Sequence, residues 1–300
     1  MDPRTRTLLE VTIDDILAAF GWQGVAVLRG LVRRLARRPA LRFAREMTMF
    51  DEAVAASGIQ AAARSLLARY VRGVEVCGME RIPREGPLLL LSNHPGMTDT
   101  LALFASIPRA DLLVLAAERP FLRALPAASR SIIFIPEQKE TRFAAMRRAV
   151  THLRAGGALL TFPAGEIEPD PAVLPGAVDA LRRWSGGSIA LLRFVPDCAV
   201  VPLVVSGVLA PQAERNPLTL LRRRETDRER LAAMLQVLVH TLIPSAWQGR
   251  VSVDLAVPFA GRELLARGDG ARDAVTASVA PILRLRERAS PGSFLRVFRQ

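Results

Sequence analysis

The 300 residues contain two cysteines, one tyrosine and a single lysine, Lys139. Cys77 and Cys198 form no C-x-x-C pair, which excludes a disulfide framework and a cysteine zinc site; no metal site is expected. With one tyrosine there are few platforms for stacking bases, and zinc-finger spacing and a glycine-rich phosphate loop are absent as well. No nucleic-acid partner is therefore expected. The chain opens with Asp2, Arg4, Arg6 and Glu10, not the basic cap and apolar run of a secretory signal, so a reducing, cytoplasmic setting is expected. The two least charged stretches, 198–213 and 231–249, are broken by polar residues or proline, so neither reads as a transmembrane helix. In the second, Leu231, Met234, Leu235, Leu238 and Leu242 share one helical face, the pattern of a core-packing helix.

Half of the residues are hydrophobic and 23% are charged, the balance of a globular chain. The net charge of +12 is almost all arginine and favours anionic partners: nucleic acid, anionic lipid or a phosphorylated or CoA-type substrate. Acidic residues are missing between Asp15 and Glu46, where Arg29, Arg33, Arg34, Arg37, Arg38, Arg42 and Arg45 fall. Among them Leu28, Leu31, Val32 and Leu35 repeat at helical spacing, which predicts a basic amphipathic helix suited to an anionic membrane surface. Residues 8–70 read as helical, with breaks at Gly21, Gly24, Pro39 and Gly58. Two regions follow: an N-terminal, membrane-associating helical segment over 1–72 and an α/β domain over 73–300.

In the second region short β-branched or leucine-rich runs alternate with helices, which predicts a mixed central sheet flanked by helices. Strands are expected at 74–77, 88–92, 112–116, 132–135, 158–162, 199–205 and 251–257. Helices are expected at 99–107, 141–154, 178–183, 188–194, 226–243 and 271–288. The mixed-sign stretch from Arg222 to Arg230 reads as a solvated helix start.

The sharpest local feature is Leu88 to Ser92 running into Asn93-His94-Pro95-Gly96-Met97-Thr98-Asp99. On a continuous helix a spacing of five puts two side chains on different faces. A Pro-Gly turn removes that obstacle, placing His94 in a loop and Asp99 in the first turn of the next helix, folded back toward it. An aspartate on one imidazole nitrogen leaves the other free to take a proton from a hydroxyl. A second strand, Leu159-Leu160-Thr161, opens into Phe162-Pro163-Ala164-Gly165-Glu166. Two strand ends that carry polar turns point to one cleft.

The first stretch resembles the N-H-x4-D motif of the glycerolipid (1-acylglycerol-3-phosphate) acyltransferase superfamily, and the second its F-P-x-G motif. Ile132 to Ile135 resembles the strand before its arginine-bearing motif, and Val201-Pro202-Leu203 its late V-P motif. The resemblance covers residues 73–210. It implies an enzyme that moves a fatty acyl group from acyl-CoA or an acyl carrier protein to a lysolipid hydroxyl, with no further cofactor, on the inner face of the cell membrane. His94 would be the general base and Asp99 its orienter. Asn93, Phe162, Pro163, Ala164, Gly165 and Glu166 would shape the acceptor site, with Val201 and Pro202 behind it.

Two departures bear on the acceptor. Glu137 stands where the family has a phosphate-binding arginine, with Lys139 and Arg142 as possible replacements, and Ala164 stands where F-P-E-G has glutamate. The F-P-A-G form resembles the hemolysin-like and ornithine-lipid acyltransferases, so an amine-bearing or zwitterionic acceptor is expected. Glu168 and Asp170 read as part of a solvated loop, and His152 and His240 as structural. A weaker alternative is a serine hydrolase built on Gly186-Gly187-Ser188 with Asp197 and His240. A non-enzymatic basic binding protein is another.

Overall fold

A computed structural model of the protein describes residues 1–138, 141–244 and 246–289. The chain begins with two long helices. The first, α1 (Pro3–Phe20), is started by Asp2, whose Oδ1 accepts from the backbone N–H groups of Arg4 and Thr5, and stopped by Gly21 in the left-handed region. The second, α2 (Ala26–Tyr70), is continuous through Pro39 and leaves helical geometry inside its span at Gly58. The expected break at Pro39 is thus corrected. Ala40, Phe43, Ala44 and Met47 follow it into the core, and their burial outweighs the hydrogen bond that proline removes.

The α/β region then runs β1 (Val71–Cys77), β2 (Leu88–Ser92), α3 (Met97–Ser106), β3 (Leu113–Ala117), α4 (Pro120–Arg123), β4 (Ile132–Ile135), α5 (Arg142–Arg154) and β5 (Ala158–Thr161). It continues with α6 (Ala177–Ala180), β6 (Ala199–Ser206), α7 (Pro211–Glu214), α8 (Glu225–Leu242), β7 (Gly249–Leu255), β8 (Phe259–Ala260), α9 (Gly261–Ala266) and α10 (Ala271–Ala289). The seven expected strands all form, shifted by at most three residues at an end; β8 is an addition. The helix expected at 178–183 is only the single turn α6 followed by 3-10 geometry, and that at 188–194 is a 3-10 segment, Ile189–Arg193.

The sheet order is β1-β7-β6-β2-β5-β3-β4, with β8 also on β6. All neighbours run parallel except β7 and β8, which lie antiparallel to β6. The sheet is therefore mixed, and its buried centre explains why β2 is four leucines in a row. Leu88 and Leu90 enter the core shared with α1, α2 and α3, whereas Leu89 and Leu91 enter the opposite core with α5, α9 and α10. Pro202 lies inside β6, a position that normally needs an N–H. Its carbonyl accepts from Ala256 on the β7–β8 side, so its missing donor also faces that side, in the gap between β7 and β8.

The arginine helix is more divided than its pattern suggested. Val32 is buried, while Leu31 and Leu35 are 49% and 71% exposed; the Leu28 side chain lies outside the described residues. Arg29 and Arg33 pair with Asp14 and Glu10 of α1, and among the described residues Arg34, Arg37 and Arg38 form no ion pair. No helix among the described residues is long and apolar enough to cross a membrane.

Candidate functional site

Strands β2, β5 and β6 run parallel, so the loops after Ser92, Thr161 and Ser206 leave the sheet at one end. His94 stands in the first of these loops. Gly96 adopts φ +154° and ψ −169°, a region almost restricted to glycine, and this bend brings the start of α3 back toward His94. Asp99, in the first turn of α3, then reaches His94: its Oδ2 lies 2.7 Å from Nδ1. The carboxylate is fully buried and also accepts from the Gly96 N–H at 3.1 Å, the Thr100 hydroxyl at 2.9 Å and the Thr100 N–H. Four donors on one carboxylate hold it fixed.

The proton on His94 is thereby assigned to Nδ1, and Nε2 has no partner among the described residues. The ring stacks on Phe162 with centroids 4.4 Å apart, so the F-P-A-G turn meets the histidine through its first residue. That turn closes with the Gly165 N–H donating to the Phe162 carbonyl, and Gly165 takes φ +69°. Burial alone would lower the pKa of His94; the charge and hydrogen bond of Asp99, helped by Glu168, outweigh it and raise the pKa above its ordinary value.

Glu168 and Asp170 are the main correction to the sequence reading. Both are buried rather than solvated. Glu168 Oε2 accepts from the His94 backbone N–H at 3.0 Å, the Glu168 N–H donates to the His94 carbonyl at 2.8 Å, and Oε1 accepts from the Trp184 indole at 2.8 Å. This two-way clamp fixes the backbone that carries His94. Burial pushes the Glu168 carboxyl up to about 7 against these donors. Asp170 accepts from the backbone N–H groups of Ala172, Gly207 and Leu209, which ties the loop after β5 to the exit of β6.

The remaining expected residues fall into groups. Asn93 is buried and exchanges two hydrogen bonds with the Val205 backbone, at 2.9 and 2.7 Å, which makes it a tie between strand ends. Val201 and Pro202 are buried in β6 behind the site. Pro163 is buried, Ala164 is half-buried, and Glu166 pairs with Arg183 at 3.1 Å. Glu137 is exposed, and Arg142 donates to the carbonyls of Pro136 and Glu137 rather than reaching inward. Lys139 lies outside the described residues. No triad forms around Ser188: its hydroxyl pairs with Thr161, Asp197 pairs with Arg262 on the surface, and His240 is buried against Tyr70.

Residues 73–206 match the family model described as Acyltransferase, a span that takes in β1 to β6 and both polar turns. The chain is accordingly an enzyme of the acyltransferase kind. Among solved structures, it is similar to the 1-acyl-sn-glycerophosphate (LPA) acyltransferase PlsC from Thermotoga maritima. The identity is 15%, covering 93% of this chain and 96% of that one, with a TM-score of 0.47. No curated protein matches the sequence.

Proposed function

We propose that the chain moves a fatty acyl group from an acyl thioester, acyl-CoA or acyl carrier protein, to the hydroxyl of a lysolipid, with His94 as general base. The observation that carries this reading is the 2.7 Å bond from His94 Nδ1 to the buried Asp99, with Nε2 unbonded among the described residues. Nε2 takes the proton of the acceptor hydroxyl as its oxygen attacks the thioester carbonyl. The new C–O bond forms, the C–S bond breaks, and the proton passes to the departing thiolate. Asp99 stabilises the imidazolium that exists between these steps without taking the proton itself. No covalent acyl-enzyme is required. General-base help of this kind is worth about 10² to 10⁴ in rate, so the rest comes from positioning and thioester reactivity.

The acceptor we propose has an amine-bearing or zwitterionic head group, as in the hemolysin-like and ornithine-lipid enzymes that the F-P-A-G turn resembles. Glu137 is exposed and Arg142 is held by backbone carbonyls, so neither supports capture of a compact phosphomonoester. The membrane reading rests on exposed Leu31 and Leu35 beside Arg34, Arg37 and Arg38, on the segment 1–72 and at the inner face of the cell membrane. The test is mass spectrometry of lipids formed from mixed lysolipids and acyl thioesters by the purified protein. Acylation of lyso-ornithine lipid in preference to lysophosphatidate is expected; a clear preference for lysophosphatidate removes the acceptor reading, and no acylated lipid removes the function. In vesicle sedimentation, reversing Arg34, Arg37 and Arg38 to glutamate should abolish binding to anionic vesicles, each arginine contributing about 1 kcal/mol.

A further inference from the structure

The stretch from Arg222 to Arg230, expected to be a solvated helix start, hides a buried acid. Glu229, in α8, is 7% exposed, and neither of its carboxylate oxygens has a hydrogen-bond partner among the described residues. Buried carboxylates are almost always paired, because a desolvated charge without a donor destabilises the fold. An acid kept in that state marks a place where a donor arrives from outside the chain.

Its surroundings say which kind of donor. The charges that act on Glu229 are those of Glu225 and Glu166, which repel it, and of Arg183 and Arg230, which attract it. Arg183 is already engaged: its Nη1 donates to Glu166 Oε1 at 3.1 Å, and its charge also acts on Glu168, the residue that clamps the His94 backbone. Two acids and two guanidinium groups thus act on Glu229, and one of the guanidinium groups is already bonded to Glu166. Glu166 follows directly on the turn whose Phe162 stacks against His94. The unpartnered acid therefore lies within electrostatic reach of the loop that forms one wall of the acyl-transfer site.

We propose that Glu229 is a subsite for a primary ammonium group on the acceptor's head group, engaged while the acceptor hydroxyl is presented to His94. An ammonium supplies three N–H donors and one positive charge, which matches a buried acid whose two oxygens have no partners among the described residues. An amide of the same shape supplies neither the charge nor the full donor set. This subsite rests on the acyl-transfer reading above.

The experiment compares lysophosphatidylethanolamine with its N-acetyl derivative, in the wild-type protein and in Glu229→Gln, by kcat/KM and by titration of tryptophan emission. The wild type should prefer the free amine by at least about 30-fold, the lower end of the range for a buried charge losing its partner. In Glu229→Gln that ratio should fall toward one while Tm stays level or rises, because glutamine removes an uncompensated buried charge. A merely structural glutamate would leave the ratio alone whatever happened to Tm. Equal treatment of the two lipids by the wild type, or full discrimination by Glu229→Gln, overturns the subsite. If neither lipid is acylated, the acyl-transfer reading fails, and the emission titration still decides the subsite. Should Glu229→Gln not fold, Glu229→Asp keeps the charge but withdraws it by one methylene, and the preference should weaken without vanishing.

Discussion

The two ends of the central sheet both bury charge, and they treat it in opposite ways. At the amino end of β2 and β5, Arg109 is 3% exposed, and its five N–H donors are all engaged. Nε and Nη2 grip Asp111 at 2.8 and 2.7 Å, and the other bonds go to the carbonyls of Pro83, Gly86 and Gly156. The guanidinium in turn holds the Asp111 carboxyl below its usual range, first through its hydrogen bonds. At the carboxyl end, burial pushes Glu168 and Glu229 each to about 7, and Glu229 has no donor among the described residues. A fully matched ion stabilises one arrangement of loops. The unmatched acid of the other end, Glu229, costs stability, and a folded chain keeps such a group where it acts on something else.

The comparison breaks most sharply by exchanging effects between the ends. His94→Ala should lower acyl transfer by about 10² to 10⁴ while thermal unfolding barely moves, since the ring is 28% exposed and its removal leaves Asp99 with its other donors. A folded variant retaining most of the wild-type rate would remove His94 from the chemistry. Arg109→Met should do the reverse, costing about 3 to 5 kcal/mol in denaturant unfolding because three loop carbonyls and Asp111 lose one common donor. The kcat of the protein that remains folded should be unchanged. A drop in kcat would show that the amino end also shapes the site.

Which parts of this were legible in the sequence follows from the range of the forces involved. The strands were readable because short apolar runs bounded by turns depend on local pattern, and so was the His94–Asp99 pair, because Pro95 and Gly96 lie between its members. Glu168 and Asp170 were not. Their loop contains Pro163, Pro169, Pro171 and Pro175 and three acids, which in a sequence looks like solvent-exposed chain. The partners that bury them are Trp184, Gly207 and Leu209, all brought in by the fold and none marked by spacing. Arg109 was hidden for the same reason, since Gly86 and Gly156 meet only when β2 and β5 pair. Glu229 was masked by its neighbours: Arg224, Glu225, Asp227, Arg228 and Arg230 make a single buried charge invisible to any average over the stretch.

Glu168→Gln sharpens the contrast at smaller amplitude. The change keeps the shape of the clamp but sets an amide N–H donor against either the His94 N–H or the Trp184 indole. A displaced His94 should lower kcat by up to about 10²-fold. The loss of negative charge also withdraws one of the influences that raise the pKa of His94. A base works only when neutral, so activity rises with pH through that pKa, and in the variant the acid limb of kcat/KM should move to lower pH. A lower kcat with an unmoved limb would make Glu168 a scaffold residue without electrostatic influence on His94.

The smallest effect separates the two ends by the sign of their response to pH. Asp111 has a depressed folded pKa, so its contribution is present above the unfolded value of 3.8 and is lost as pH falls through the folded one. Glu229 is raised from 4.5 to about 7. Between those values the native state holds a proton that the unfolded chain has released, so stability falls as pH rises across that window. Glu168 and His94, both raised, act in the same direction. The amino end therefore gains stability from acid towards pH 5, and the carboxyl end loses it from there towards neutrality. Glu229→Gln removes one of the groups responsible for the loss. Its unfolding free energy, measured in denaturant at pH 5, 6 and 7, should decline less steeply than the wild type, by at most about 1.4 kcal/mol per pH unit for a single proton. Arg109→Met should leave that slope alone and alter the stability profile below pH 5. If Glu229→Gln and the wild type fall in parallel from pH 5 to 7, Glu229 titrates as an ordinary acid, and the unmatched charge at the carboxyl end exerts no cost on the fold.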